Sequence, residues 1–258
     1  MQLNKENYLK LKNSGKYTRP QMAGLLEVPD WKLKKWIANT GLGTKRPVLS
    51  NPRVFKEDTK ESNYWAGFIA ADGCVDSKGR VRLYLQLSDI EHLKKFARFV
   101  GSTHTINENP TRNRCSIEFT CSAMVLDLQR WNITPNKSIT YSPPTGLKYQ
   151  KDFLRGLFDG DGTICESFSN KNSITATLYA GLTCSYSCRD WFYNICNNEL
   201  GISLKQHEKE NCVCITMNTN KSKIFLTHIY EDSTVGFRLD RKYELFTKIV
   251  VNNIRKVR

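Results

Sequence analysis

The sequence WAGFIAADG at residues 65–73 recurs in outline as LRGLFDGDG at residues 154–162. In both copies a glycine stands five residues before an aspartate, and a second glycine follows that aspartate directly. The first glycine and the small residue four positions after it share one face of a helix, and the last glycine suits the position that ends one. Each copy therefore predicts a helix with a stripe of very small side chains, along which two such helices can pack closely.

The two motif aspartates, Asp72 and Asp161, are predicted at the C-terminal ends of these helices. The helix dipole disfavours a carboxylate there by about 0.3–1 kcal/mol, and two such ends side by side add like-charge repulsion. A divalent cation would reverse both penalties, and carboxylate oxygens suit Mg²⁺. Two ordinary helix ends are the alternative, because Asp-Gly is a common turn dipeptide. The recurrence of the pattern favours a metal site.

Composition points to a nucleic-acid partner. The 258-residue chain has a formal net charge of +14 and a pI near 9.4, which favours binding to DNA or RNA. From charge alone, a ribosome-associated or membrane-surface protein is the alternative. No stretch is long and apolar enough to span a bilayer, and the N-terminus lacks a secretory signal. We therefore expect an intracellular protein, in the cytoplasm of a prokaryotic or phage-infected cell or in an organelle.

The nine cysteines are scattered along the chain. None of their spacings matches a zinc ribbon, and no histidine pair completes such a site. We expect reduced, mostly buried thiols.

Residues 1–46 predict a separate domain of three short helices. Thr18 is the expected N-cap of the second helix, with Pro20 in its first turn. The third helix is basic and ends at a glycine, as in a helix-turn-helix module. Any small helical hairpin with a basic face would give a similar pattern. We expect DNA contact through four residues of this helix: Trp31, Lys32, Lys34 and Lys35.

The rest of the chain predicts a linker and two repeats. Residues 47–62 have two prolines and little periodicity, which is typical of a basic linker. Residues 63–150 and 151–258 read as successive copies of one unit, and the two motif aspartates are 89 positions apart. In the first copy, residues 80–87 alternate as one strand. Its apolar face is predicted to consist of Val81, Leu83, Leu85 and Leu87. Its polar face is predicted to consist of Arg80, Arg82, Tyr84 and Gln86, and we expect this face to contact DNA bases.

The second copy repeats this order with a less charged strand. Residues 178–183 (LYAGLT) align with residues 83–88 (LYLQLS), which makes Gly181 the counterpart of Gln86. The outward face of this strand is predicted to comprise Ser173, Thr175, Thr177 and Tyr179. After the first strand, residues 88–91 (SDIE) predict a capping box that opens the next helix.

At the two motifs the chain resembles the LAGLIDADG homing endonuclease family, in its single-chain form with two motifs. The second copy matches the motif well, whereas the first departs at Ala70, where the family often has an acidic residue. The resemblance covers about residues 63–258. It implies an α+β fold in which two pseudo-symmetric αββαββα repeats pack through their motif helices. The two sheets then form a saddle over the DNA major groove, and residues 1–46 add a small all-α domain.

The resemblance also implies the chemistry. It makes Asp72 and Asp161 ligands of Mg²⁺ or another divalent cation such as Mn²⁺, with the backbone carbonyls of Ala71 and Gly160 as further ligands. The metal would activate water for attack on a phosphodiester of each strand. Three polar residues would assist near the active sites by orienting water or stabilising the transition state: Lys137, Lys242 and Gln86. Glycine at position 181 implies that the two sites are unequal.

The expected function is therefore site-specific double-strand cleavage of DNA at a long asymmetric target, by a monomer. Two alternatives stay open on the same scaffold: an RNA maturase whose partner is intron RNA, and a DNA-binding regulator that does not cut. The paired aspartates favour the enzyme, because a protein that only binds DNA does not need buried paired carboxylates.

Overall fold

Three short helices form the first of the two units into which the chain divides, Met1–Arg46. The computed structural model describes residues 1–42, 47–168 and 176–251. The helices of the first unit are α1 (Lys5–Asn13), α2 (Arg19–Leu25) and α3 (Asp30–Asn39).

Local capping sets the ends of these helices. The Asn4 side chain accepts a hydrogen bond from the Asn7 backbone nitrogen at 2.8 Å, and the Gln21 side chain accepts one from Thr18 at 2.8 Å. Gly41 has a φ of +67° just after α3, a left-handed conformation that glycine adopts readily. The helices enclose a small apolar core of Tyr8, Leu11, Met22, Ala23, Leu26 and Leu33.

The second unit, Pro47–Arg258, contains two successive copies of one arrangement. The first copy consists of α4 (Lys60–Asp72), β1 (Gly73–Val75), β2 (Arg80–Gln86), α5 (Ile90–Phe99), β3 (Asn107–Asn109), β4 (Arg114–Thr120) and α6 (Ser122–Leu128). The second consists of α7 (Gln150–Asp161), β5 (Gly162–Phe168), β6 (Ala176–Cys184), α8 (Tyr186–Asn194), β7 (Lys205–Glu208), β8 (Val213–Asn218) and α9 (Thr219–Tyr230), and α10 (Asp240–Phe246) follows it.

The two copies form matching antiparallel sheets. The strand orders are β1-β2-β4-β3 and β5-β6-β8-β7. One continuous apolar core runs through both copies, and α4 and α7 pack against each other within it. The predicted α+β fold of two αββαββα repeats is confirmed. No helix among the described residues has the length and apolar character needed to cross a membrane.

Residues 47–62, predicted to be a basic linker, belong to the compact second unit. Phe55 is fully buried there, and Arg53 makes two 2.8 Å hydrogen bonds to Asp127. The motif helix α4 begins within this segment, at Lys60. A single buried aromatic residue after two prolines has no periodicity, so the sequence pattern could not indicate this packing.

The predicted capping box at residues 88–91 does not form. Residues 87–89 make one turn of 3-10 helix, and Asp89 instead of Ser88 is the N-cap of α5. No side chain in the described part of the chain caps α5 with a hydrogen bond. The Asp89 carboxylate instead binds Arg241 from the other repeat. A local sequence pattern cannot predict a partner so distant in the chain.

The predicted alignment between the two central strands is wrong by four positions. In β2, Leu83 pairs with Gly73, which follows the first motif aspartate, and in β6, Leu182 pairs with Gly162, which follows the second. Leu182 is therefore the counterpart of Leu83. A shift of four residues keeps every side chain on the same face of a strand, so alternation alone does not distinguish the two alignments.

As a result, the counterpart of Gln86 is Ser185 and not Gly181. By the same register, the counterpart of Asp89 is Cys188. Gly181 itself lies in the middle of β6, paired with Thr163 and Thr216.

Candidate active site

The motif helices α4 and α7 cross where both have glycine. A Cβ atom on Gly67 would overlap the carbonyl oxygen of Phe153, and one on Gly156 would overlap that of Tyr64. One turn further along, a Cβ atom on Gly160 would overlap the Cβ atom of Ala71. The predicted stripes of small residues therefore face each other and let the two backbones touch.

This close crossing brings the two motif aspartates together. A Cβ atom on Gly160 would lie 3.4 Å from the Oδ2 atom of Asp72. Burial raises the pKa of Asp72 above its ordinary value. Burial also raises the pKa of Asp161 to about 6, and the negative charge of Asp72 adds to the increase. Both carboxylates are thus held in their charged form at a cost, which a cation would remove.

A buried lysine from another segment of the chain binds the C-terminal end of each motif helix. The Nζ atom of Lys137 donates hydrogen bonds to the carbonyl oxygens of Ala70 (2.7 Å) and Gly73 (3.0 Å), at the end of α4. These carbonyls have no partner inside the helix, so the ammonium group satisfies them. Burial lowers the pKa of Lys137.

Lys242 does the same for α7. Its Nζ atom donates to the carbonyl oxygens of Phe158 (2.7 Å), Asp159 (2.8 Å) and Gly162 (2.5 Å). Burial lowers the pKa of Lys242 to about 8, while the negative charge of Asp159 opposes the decrease. The two lysines selected from the sequence therefore occupy equivalent positions in the two repeats.

Two clefts open beside the crossing helices, and each has one motif aspartate. The first, of about 460 Å³, is lined by residues that include Asp72, Gln86, Asp89, Gly160 and Arg241. The second, of about 300 Å³, is lined by residues that include Ala71, Lys137, Asp161, Ser185 and Cys188. Each cleft thus combines the aspartate of one motif with the residue that precedes the aspartate of the other.

Several solved structures of LAGLIDADG endonucleases share this architecture. The LAGLIDADG meganuclease I-AabMI bound to uncleaved DNA superposes with a TM-score of 0.53 and 11% sequence identity, covering 75% of this chain and 90% of that chain. The I-LtrWI LAGLIDADG homing endonuclease bound to target DNA gives 0.52 and 11%, over 78% and 91%. The I-SmaMI LAGLIDADG homing endonuclease bound to cleaved DNA gives 0.51 and 12%, over 73% and 88%.

The chain has the LAGLIDADG fold. No family model matches the sequence, and no curated protein matches it either. At 11–12% identity the likeness is one of fold, so the function has to be argued from the residues at the two clefts.

The donor atoms in the LAGLIDADG fold of this chain suit a hard cation such as Mg²⁺. Within residues 1–42, 47–168 and 176–251, no three His, Cys, Asp or Glu side chains come together as a metal site. Mg²⁺ does not need such a cluster, because it usually binds one or two carboxylates and keeps several waters. No described residue donates a hydrogen bond to the Asp72 or Asp161 carboxylate. Carboxylate oxygens without hydrogen-bond partners, beside helix-end carbonyls, are suitable ligands.

A buried carboxylate that the sequence analysis missed supports one side of the site. Asp159 accepts hydrogen bonds from the hydroxyl groups of Tyr64 (2.8 Å) and Tyr230 (2.5 Å) and from the backbone nitrogen of Leu239 (2.7 Å). It therefore ties the start of α10, which carries Lys242, to both motif helices. The only local signal is that Asp159 occupies the acidic motif position at which the first copy has Ala70.

A second missed interaction joins the two repeats across the first cleft. Arg241 donates from Nε to Oδ1 of Asp89 at 3.1 Å and from Nη2 to Oδ2 at 3.0 Å. The two residues are 152 positions apart. The position of Arg241 next to Lys242 was the only indication in the sequence.

The polar face of β2 points away from the core as predicted, but its two arginines are half-buried and already have partners. Arg80 and Arg82 both contact Asp76, at 2.6 and 3.2 Å. Tyr84 and Gln86 are exposed, and the guanidinium group of Arg114 lies 5.2 Å from the Tyr84 ring centre.

The other predicted DNA contacts are only partly described. Tyr179 is exposed on β6. Ser173, Thr175 and the side chain of Thr177 lie outside the described residues. In the first unit, Trp31 is 67% exposed, and the side chains beside it on α3 are exposed as well: Lys32, Lys34 and Lys35.

Proposed function

We propose that this protein is a member of the LAGLIDADG homing endonuclease family and cleaves both strands of double-stranded DNA at a specific site. One observation carries the proposal: two repeats bring two aspartates, neither with a hydrogen-bond donor among the described residues, to one helix crossing, and each faces its own cleft. Two equivalent clefts match the two strands of a duplex. A protein that only binds DNA has no use for the cost of holding these carboxylates charged.

In the first cleft, Asp72 and the carbonyl of Gly160 would hold the metal, and in the second, Asp161 and the carbonyl of Ala71. Mg²⁺ or Mn²⁺ bound there would supply Lewis-acid activation of a water molecule and neutralise charge on the phosphate. The rigid crossing of the two glycine-containing helices keeps the aspartates at a set separation, which in-line attack on two phosphates requires.

The two lysines differ in what they can offer to a substrate. An ammonium group has three N–H donors. Lys242 uses all three on carbonyl oxygens of α7, so it acts by fixing the helix end and by its positive charge. Lys137 donates two hydrogen bonds within the described part of the chain, so its third N–H would be offered to water or phosphate in the second cleft. Gln86 offers an amide group in the first cleft.

DNA recognition would use the exposed faces of both sheets and the basic face of α3. The alternation in β2 directs Tyr84 and Gln86 outward, where amide and aromatic groups can read base edges. Exposed Trp31 with its neighbouring lysines would extend the contact along the duplex, as in a helix-turn-helix module, and the charge of +14 favours the backbone contacts. Because one chain already has both clefts, we propose that a monomer binds one long asymmetric target.

The experiment is selection of cleaved sequences from a randomised duplex library in Mg²⁺, with Asp72→Asn and Asp161→Asn in parallel. We expect double-strand cuts at one long sequence, lost in both variants and in EDTA. Arg53→Met is the matched control, because it removes an exposed charge away from both clefts. Selective binding without cutting would refute the nuclease. An RNA maturase would then be tested by intron splicing with the same variants, and a regulator by binding alone.

A further inference from the structure

The pair formed by Arg241 and Asp89 distinguishes the first cleft from the second. Both residues line the first cleft with Asp72. Asp89 follows β2 in the first repeat, and Arg241 lies in the first turn of α10, after the second repeat. The Asp89 side chain is 7% exposed and that of Arg241 is 55% exposed. The pair therefore has one buried, fixed partner and one partner open to the cleft.

The geometry leaves Arg241 able to bind a second anion. Asp89 accepts hydrogen bonds from Nε and Nη2 only. A guanidinium group has five N–H donors, so three have no partner among the residues that the structure describes, two of them on Nη1. Planar guanidinium groups recognise phosphate oxygens in the same two-point manner as carboxylates. Because Asp89 binds one edge of the Arg241 guanidinium group, this group is already oriented before DNA binds.

Among the described residues, the second cleft has no such pair. The residue before Lys137 is Asn136, where the residue before Lys242 is Arg241. The counterpart of Asp89 is Cys188, whose thiol contacts Cys184 and is buried. An amide and a thiol carry no charge, so this cleft has no counterpart of the Arg241–Asp89 pair among the described residues. Its cation is Lys137, which has one N–H donor left beside its two carbonyl partners, whereas Arg241 has three left beside Asp89.

A structural role alone would be the simpler explanation, since an arginine can neutralise a buried carboxylate. However, the unit has a comparable bridge elsewhere, between an exposed arginine and a buried carboxylate, that lines neither cleft. Arg53 and Asp127 form the same two-point contact, with both hydrogen bonds at 2.8 Å. Of these two pairs, the one formed by Arg241 and Asp89 lies beside a motif aspartate.

We propose that Arg241 binds the scissile phosphate in the first cleft, that Asp89 positions it, and that the strand in this cleft is consequently cut before the other. The inference rests on the proposed endonuclease function and adds a catalytic residue and an order of strand cleavage. Arg241 would stabilise charge that develops on the phosphate during attack by water. The second strand, without this group, would be cut more slowly from a nicked duplex.

The test measures the two strands separately, on the target selected by the wild-type protein and labelled at either end. The wild type should accumulate a duplex nicked on one strand. Arg241→Met should slow that strand by about 100-fold and leave the other within about twofold. Asp89→Asn should slow the same strand by about 10-fold, and should have no further effect in the Arg241→Met background. Arg53→Met should leave both rates unchanged.

A binding measurement checks the phosphate contact without cutting. In EDTA, wild-type affinity should fall by about 10-fold when the scissile phosphate of the first strand is replaced by a neutral methylphosphonate. The affinity of Arg241→Met should be the same for both duplexes.

Three results would overturn the inference while leaving the endonuclease intact. These are equal slowing of both strands by Arg241→Met, slowing of the strand that the wild type cuts second, and equal sensitivity of wild type and Arg241→Met to the methylphosphonate. Failure of the wild-type protein to cut any duplex would instead refute the proposed function, and this inference with it.

Discussion

Replacing Gly156 by alanine should force the motif helices α4 and α7 apart. A Cβ atom there would overlap the carbonyl oxygen of Tyr64 and lie 2.8 Å from the backbone nitrogen of Phe68, whereas ordinary contacts begin at 3.4 Å. Both obstacles are backbone atoms, so no side-chain rotation relieves the overlap. To clear the carbonyl oxygen of Tyr64, the helices have to move by more than about 1 Å, in an interior that is packed like a crystal.

The expected loss of stability is about 2 kcal/mol. Extra atoms in a packed core cost about 1–3 kcal/mol, and rigid backbone obstacles place this change near the upper limit. The higher helix propensity of alanine offsets about 0.5–1 kcal/mol of this loss of stability. For a unit of this size the net change corresponds to a decrease in melting temperature of about 4–8 °C.

Urea denaturation followed by circular dichroism measures the change, with Gly24→Ala as the matched control. Gly24 is also helical, and a Cβ atom there would meet nothing within 4 Å. That substitution should stabilise the first unit by up to about 1 kcal/mol. Equal behaviour of Gly156→Ala and Gly24→Ala would refute the backbone-to-backbone crossing.

The same substitution should reduce cutting of both strands, because Gly160 and Asp72 move apart. Gly67→Ala meets the mirror-image obstacle, the carbonyl of Phe153. Because one separation of the helices relieves both overlaps, the double variant should lose less stability than the sum of the single losses, by more than about 0.5 kcal/mol. Strict additivity would contradict a shared contact.

The remaining predictions concern the site and its supports. Lys242→Met should destabilise the second unit by about 2–3 kcal/mol. This loss should exceed that of Lys137→Met, because three rather than two carbonyl oxygens lose their donor. Equal losses of stability in urea denaturation would contradict this prediction. Burial lowers the pKa of His92 to about 3 from the ordinary 6.5, so the unfolded chain binds a proton that the folded chain does not. Stability should therefore fall by about 2 kcal/mol between neutral pH and pH 5, His92→Gln should lack this contribution, and an unchanged pH dependence in that variant would exclude His92 as its source. Adding Mg²⁺ should raise the melting temperature of the wild type but not of the Asp72→Asn, Asp161→Asn double variant, and an equal increase in both proteins would place the ion elsewhere.

Much of the architecture follows from local patterns. The first helices begin and end within a residue or two of the positions that their caps predict, as at Thr18 and Gly41. The strand at residues 80–87 alternates as expected, with Val81, Leu83 and Leu85 buried. These features depend on side chains that are close in sequence, so a linear pattern contains the relevant information.

Two predictions were wrong, the strand alignment and the capping box, because each depended on a sequence pattern of low specificity. The tract around Gly181 has small residues on both sides, so two alignments separated by four positions satisfy the same alternation. Pairing with β5 and β8 selects one of them. Likewise, the SDIE sequence at residues 88–91 is a valid capping signal, but Asp89 is held by Arg241 from the other repeat.

The sequence by itself determined the duplication, the two glycine-containing motif helices and the aspartates that end them, because a motif that recurs after 89 positions is visible without a structure. Only the tertiary structure decided which residues share a cleft. Asp72 lies with Gly160, Asp89 and Arg241, and Asp161 with Lys137 and Cys188. The physical reason is that helix crossing and sheet pairing join residues up to 152 positions apart. The difference between the two clefts is therefore a property of the packed repeats, which no single segment contains.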